Sequence, residues 1–119
     1  MNYLLVFIGG GIGSIFRYGI AVLIKDYNVT FPFATLSANI ISCIILGALV
    51  GLSLKGSLHD NHKLIFMTGF CGGFSTFSTF SHETFQLLQT GAYLHGFVNI
   101  FFSLVICLFS IYLGLKLVG

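Results

Sequence analysis

The chain has 119 residues, of which 56% are hydrophobic and only 7% are charged, and its formal net charge is +2. This composition excludes an ordinary soluble domain and is typical of a membrane protein. The positive charge is too small and too scattered along the chain to indicate nucleic-acid binding.

Four apolar segments, separated by short polar connections, each have the roughly 20–25 residues that a helix needs to cross about 30 Å of hydrocarbon. The predicted spans are 3–24, 32–54, 63–88 and 93–117. We therefore predict an all-α membrane protein with a single four-helix transmembrane domain over residues 1–119. No basic residue precedes the first span, so we expect a retained helix and not a cleaved signal. The basic residues are nearly balanced between the two sides of the membrane, which allows insertion in either orientation.

The first span contains Gly9 and Gly13, a pair of small residues one turn apart that lets another helix approach closely. Arg17 lies well inside the same span. An arginine at this depth is either a functional residue or a side chain that reaches back to the membrane surface. Both interpretations stay open.

The second span begins at Pro32, where the missing N–H of proline has no cost. Asn39 lies within it on a helix face that is rich in small and polar residues. Its amide must be hydrogen-bonded in hydrocarbon, either to another helix or as part of a functional site. Gly47 and Gly51 provide a second site for close packing. The three cysteines of the chain are expected to be small apolar residues, with no disulfide and no metal.

The third span contains the most unusual stretch of the chain, Gly69–Glu83, with the sequence GFCGGFSTFSTFSHE. Hydroxyl residues alternate here with phenylalanines, and polar groups at membrane depth must be buried in protein or line a wet cavity. Gly72 and Gly73 offer little resistance to unwinding. Two interpretations stay open: a helix broken near mid-membrane that exposes its backbone groups, or a continuous helix whose small residues permit close packing. Glu83 is either a proton or cation site or a group that reaches the membrane surface.

The fourth span carries Asn99 and Ser103, which share a helix face. Its phenylalanines are expected to be packing residues. No pairing of a nucleophile with a base, and no metal-ligand cluster, is visible in the predicted spans. The sequence therefore predicts that the protein is not an enzyme.

Three stretches of the chain resemble the small fluoride channels of the Fluc, or CrcB, family. These are GGGIGSIFRY in the first span, FPFATLSANIISCIILG in the second and TGFCGGFSTFSTFSHE in the third. The resemblance covers the whole chain at matching spacing. It implies a passive, fluoride-selective channel in the cell membrane, built as an antiparallel, dual-topology dimer. Such a dimer has a third helix broken mid-membrane, two fluoride pores and one structural sodium ion at its centre.

The resemblance also assigns roles to individual residues. The backbone carbonyls of Gly72 and Ser75 would coordinate sodium, and the ring edges of Phe77 and Phe80 would face the anion. The other pore residues that it implies are Asn39, Ser78, Thr79, Ser103 and, in the vestibule, Arg17. The chain departs from the family pattern at Ser75, where the family usually has threonine, and at Asn99, where it has tyrosine.

The partners implied are fluoride, membrane lipid and a second subunit, either an identical copy or a paralogous one. A proton-coupled exporter of the small multidrug-resistance type is an alternative, but it needs a carboxylate in the first span, and none is present. A non-transporting assembly subunit is a third possibility, which predicts that reconstituted protein carries no current.

Overall fold

The computed structural model describes residues 1–24 and 31–119, and over these ranges the chain is helical with no strand. Helix α1 covers Asn2–Ile24 and α2 covers Phe33–Leu54. Helix α3 begins as a short α-helical turn and continues as a wider π-helix before returning to α-helix; its parts are Asp60–His62, Lys63–Cys71 and Gly72–Phe74. Helix α4 covers Phe77–Gln89 and α5 covers Tyr93–Val118.

Within the described ranges, α1, α2 and α5 are each long and apolar enough to cross a membrane. They match three of the four predicted spans to within a residue or so. The predicted span 63–88 is not among them, because it is divided between α3 and α4. Ser75 (φ −84°, ψ 158°) and Thr76 (φ −152°, ψ 123°) are extended and separate the two helices.

Helix α1 packs against α3 through glycines on both helices. A Cβ atom added at Gly9 would overlap the backbone carbonyl of Ile65, and one added at Gly73 would overlap the carbonyl of Gly10. Gly13 is equally close to the backbone of Phe70. The prediction that Gly9 and Gly13 permit close approach of another helix is confirmed, and that helix is α3.

Helix α2 packs against α5 in the same way. Gly47 leaves no room for a Cβ beside the carbonyl of Ile111, and Gly114 leaves none beside the carbonyl of Ile44. Gly51 meets the side chain of Val118, which is a softer contact. The contacts advance along both helices in the same direction, so α2 and α5 run parallel. The second predicted close-packing site is therefore the contact of α2 with α5.

Among the residues that the structure describes, six buried side chains are polar and five are apolar. The buried polar residues are Thr35, Ser42, Thr84, Asn99, Ser103 and Ser110. Most large apolar side chains of α1 and α5 are exposed, among them Phe7, Ile15, Phe101 and Leu108. A soluble protein of this size places such residues inside. The inverted distribution fits a protein whose outer surface contacts hydrocarbon and whose polar groups hydrogen-bond to one another inside.

Candidate functional site

The extended residues Ser75 and Thr76 redirect two backbone N–H groups. A continuous α-helix would direct the N–H of Thr76 at the carbonyl of Gly72, and the N–H of Thr79 at the carbonyl of Ser75. Instead, the N–H of Thr76 donates to Asn39 Oδ1 at 2.9 Å, and the N–H of Thr79 donates to Thr76 Oγ1 at 3.1 Å. The carbonyls of Gly72 and Ser75 thus lose the donors that helix continuation would provide.

The amide of Asn39 pairs with both backbone groups of Thr76. Asn39 Oδ1 accepts from the Thr76 N–H, and Asn39 Nδ2 donates to the Thr76 carbonyl at 3.4 Å. Because an unpaired backbone group inside a protein is costly, this side chain from α2 stabilises the extended conformation between α3 and α4. One of the two N–H bonds of the Asn39 amide group remains for another acceptor.

The carbonyl of Cys71, near the end of α3, accepts three hydrogen bonds. It accepts from the N–H of Ser75 at 3.0 Å, from Ser75 Oγ at 2.8 Å and from Ser42 Oγ at 3.2 Å. The hydroxyl of Ser75 therefore points back toward α3 and uses its only proton there.

Thr76 is the N-cap of α4, and its side chain is the centre of a small hydroxyl cluster. Thr76 Oγ1 lies 3.2 Å from Ser78 Oγ and 3.2 Å from Thr79 Oγ1. The three hydroxyls carry three protons, and the two contacts use two at most, so at least one proton is left for a ligand. The N-terminus of α4 adds the partial positive charge of a helix end.

A groove of about 230 Å³ opens at this point and is lined by residues from α2, α4, α5 and the extended pair. Its lining residues are Asn39, Cys43, Ser75, Thr76, Phe77, Phe80, Ser103, Leu104 and Cys107. Five of the predicted site residues are among them: Asn39, Ser75, Phe77, Phe80 and Ser103. Two more, Ser78 and Thr79, adjoin the groove through the hydroxyl cluster of Thr76.

Phe77 and Phe80 lie side by side in the first turn of α4. Their ring centroids are 5.7 Å apart and the ring planes are inclined by 41°. Phe77 is 76% exposed in the single chain, whereas Phe80 is half-buried. The groove is therefore open on the side of Phe77.

Two predicted site residues, Arg17 and Gly72, lie near the junction between α3 and α4 but are not in the lining of the groove. The Nε atom of Arg17 donates to the carbonyl of Gly73 at 3.2 Å, at the C-terminal end of α3, where a helix attracts positive charge. Arg17 is thus hydrogen-bonded to the end of α3 and is not among the residues that line the groove. Gly72 is exposed, and a Cβ added there would meet nothing within 4 Å in the single chain.

The polar residues of α5 form a hydrogen-bonded chain to α4. Asn99 is only 1% exposed, and its Nδ2 donates to Thr84 Oγ1 at 2.8 Å. Ser103 Oγ donates to Asn99 Oδ1 at 3.1 Å, and Thr84 Oγ1 donates to the carbonyl of Phe80 at 2.8 Å. Sequence reasoning missed Thr84, although a hydroxyl residue one turn after Phe80 in the same predicted span was a usable signal.

The remaining polar groups of the spans are placed as follows. One carboxylate oxygen of Glu83, Oε1, is buried and has no hydrogen-bond partner in the described part of the chain. Cys43 and Cys107 are free thiols in the wall of the groove, a position that the sequence did not indicate. Residues 1–24 and 31–119 hold no group of three or more histidine, cysteine or carboxylate side chains that could bind a metal ion.

The chain is similar to known proteins over almost its whole length. The family described as "CrcB-like protein, Camphor Resistance (CrcB)" matches residues 4–115. A "Fluoride-specific ion channel FluC" of Shewanella loihica is 41% identical over 118 residues, covering 98% of this chain and 95% of the relative. The protein of the same name from Azobacteroides pseudotrichonymphae is 53% identical over 91 residues, covering 75% of this chain and 73% of the relative.

Proposed function

The chain belongs to the CrcB family, and from that premise we propose that it is a fluoride-selective channel, a multi-pass membrane protein that lets fluoride cross the membrane passively. One structural observation supports this function at the level of individual residues. The extended pair Ser75–Thr76 brings the N-terminus of α4, the Asn39 amide and two phenylalanines to one groove.

The groove suits a small, strongly hydrogen-bonding anion. The free N–H of Asn39, the spare proton of the hydroxyl cluster around Thr76 and the N-terminal end of α4 all present positive charge. The rings of Phe77 and Phe80 carry positive charge at their edges and exclude water without offering a competing acceptor. Fluoride gains more from such donors than chloride does, because a smaller anion accepts stronger hydrogen bonds.

The opposite end of the junction suits a cation, which we propose to be the structural sodium ion. The carbonyls of Gly72 and Ser75 lack the donors that helix continuation would supply, since those N–H groups bind Asn39 and Thr76. Unwound backbone carbonyls at the C-terminal end of a half-helix are typical sodium ligands in membrane proteins. A bound sodium ion would offset the cost of bringing an anion into a medium of low dielectric constant.

A second subunit completes both sites in this proposal. One chain supplies only two such carbonyls, and two-fold symmetry would supply four. Gly72 and Phe77 are exposed in the single chain, which supports contact with a partner there. We propose a dimer of antiparallel subunits with two pores, either of identical copies or with a paralogous subunit. In it, α3 and α4 together form the third span, interrupted at Ser75–Thr76 in mid-membrane.

The proton-coupled exporter is the weaker candidate, because α1 contains no acidic residue. Liposomes loaded with potassium fluoride test the proposal. Without a proton gradient, wild-type protein should release fluoride when a potassium ionophore provides the balancing charge. Matched liposomes loaded with potassium chloride should release no chloride. Chloride release at a comparable rate, or fluoride release only with a proton gradient, would refute a fluoride-selective passive channel. No release at all would favour the assembly subunit.

A further inference from the structure

The series of hydrogen bonds from Ser103 through Asn99 and Thr84 to Phe80 has one donor-to-acceptor direction, and the carbonyl of Phe80 determines it. The carbonyl of Phe80 is an acceptor only, so the hydroxyl of Thr84 must donate to it. With its single proton used, Thr84 Oγ1 can only accept from Asn99, and the NH₂ group of Asn99 must therefore face Thr84.

The same reasoning fixes the other end of the chain. With its NH₂ group toward Thr84, Asn99 turns Oδ1 toward Ser103, and the hydroxyl of Ser103 must donate to that oxygen. A serine hydroxyl has only one proton. Ser103 also lines the groove, so what it can offer there is a pair of oxygen lone pairs.

From this geometry we propose that Asn99 is a positioning residue that withdraws the hydroxyl proton of Ser103 from the groove and makes Ser103 an acceptor toward its contents. The proposal rests on the proposed function and assigns Ser103 a specific part in it. Lone pairs repel a bare anion, so Ser103 accepts from a water molecule, and that water donates to fluoride. The direct donors to fluoride lie across the groove, at Asn39 and the hydroxyl cluster of Thr76.

Burial makes this arrangement stable. Asn99 is 1% exposed and Ser103 is 6% exposed, so neither can exchange its partner for bulk water. In a reversed network Thr84 would donate to Asn99, and the carbonyl of Phe80 would lose the Thr84 hydroxyl. If Thr84 instead kept its bond to Phe80, two acceptor oxygens would face each other at Thr84. Each bond in the chain therefore supports the next.

Two variants and their combination test the proposal through the fluoride concentration that gives half-maximal flux. Ser103→Ala removes the acceptor for the groove water and the donor to Asn99 Oδ1, but no direct donor to fluoride. The half-maximal concentration should therefore rise by no more than about threefold, less than the loss of a direct donor would cause. Asn99→Leu frees the Ser103 proton to donate to the anion. It should lower the half-maximal concentration by about threefold or more, and the double variant should lose that shift. A purely structural role of Asn99 would lower the number of active dimers and leave this concentration unchanged.

Ser110→Ala is the matched control, because Ser110 is a buried serine on the same helix whose hydroxyl donates to the carbonyl of Ile106 and does not line the groove. A rise of about tenfold in the half-maximal concentration for Ser103→Ala, absent in Ser110→Ala, would show that Ser103 donates to fluoride and would overturn the proposal. If Asn99→Leu does not fold, this comparison decides alone. A wild-type protein without any fluoride flux would instead overturn the proposed function, and this proposal with it.

Discussion

Asn39 shows how one side chain can stabilise an interrupted helix. Its amide presents an acceptor and a donor side by side, and these match the N–H and C=O groups of Thr76. A hydroxyl has its donor and its acceptor on a single atom and so matches the two separate backbone groups less well, and an apolar residue satisfies neither group. The two interpretations of Asn39, as a contact between helices and as a site residue, are therefore compatible, since the contact also holds a wall of the groove.

We expect Asn39→Leu to destabilise the protein by about 1–3 kcal/mol, because the backbone groups of Thr76 lose their partners in a dry environment. Ser42→Ala is the control on the same helix. It should cost at least about 1 kcal/mol less than Asn39→Leu, because the carbonyl of Cys71 keeps two donors from Ser75. Thermal unfolding in detergent measures both variants. Equal costs would contradict the special role of the Asn39 amide.

Phe77→Ile and Phe80→Ile should each lower fluoride flux by about tenfold or more, equivalent to about 1.4 kcal/mol of barrier, while the proposed dimer stays folded and assembled. Isoleucine keeps the apolar volume but has no ring edge with positive charge. Phe85→Ile provides the control, since Phe85 is an exposed ring of α4 outside the groove. Size-exclusion chromatography and flux are measured on the same sample. Loss of the dimer with normal flux per remaining dimer would indicate that Phe77 and Phe80 only pack.

At the scale of elements, the C-terminal end of α3 meets the N-terminal end of α4. The junction between them therefore has a negative side and a positive side. The C-terminal end of α3 presents carbonyl oxygens, and one of them, at Gly73, already binds the guanidinium of Arg17. The N-terminal end of α4 presents N–H groups and the hydroxyls around Thr76. A continuous helix would pair these groups with each other and could bind neither a cation nor an anion there.

The two adjacent glycines at the end of α3 are expected to act differently, Gly73 in folding and Gly72 in the assembly of the proposed dimer. Gly73→Val should prevent α1 from packing on α3, because even a Cβ atom would overlap the carbonyl of Gly10. Gly72→Val meets nothing within the chain, so we expect a folded protein that fails to form the dimer. Circular dichroism and size-exclusion chromatography in detergent distinguish the two effects. A normal, active Gly72→Val dimer would contradict an interface at this residue.

At the scale of the whole molecule, one chain has the inverted burial of a membrane protein, and in the function proposed above its site is incomplete without a partner. The groove is open beside Phe77, and the two carbonyls proposed for sodium are too few to enclose an ion. Helices α1 and α3 form one glycine-packed pair, and α2 and α5 form another. The junction of α3 with α4 lies where residues of both pairs meet, so a partner that contacts it would complete both sites at once.

Removing sodium should abolish fluoride flux in the proposed dimer, because the cation offsets the cost of an anion in a medium of low dielectric constant. The loss should be slow, since the proposed position between two subunits has no direct path to water. Dimers exchanged for days into N-methylglucamine buffer and matched dimers kept in sodium are compared for bound sodium by elemental analysis and for flux. Full flux in protein shown to be free of sodium would exclude a required cation.

The sequence alone determined which parts of the chain can cross a membrane and where helices approach closely. Apolar length and glycine spacing are local properties, so the spans at α1, α2 and α5 and the contacts of Gly9, Gly13 and Gly47 followed from them. The Gly69–Glu83 stretch permitted both a broken and a continuous helix. The tertiary structure decided which distant groups pair, such as Asn39 with Thr76 and Asn99 with Thr84. Many residues of the sequence could accept a hydrogen bond from a given donor. Only the packing of the helices brings one of these acceptors within 3 Å.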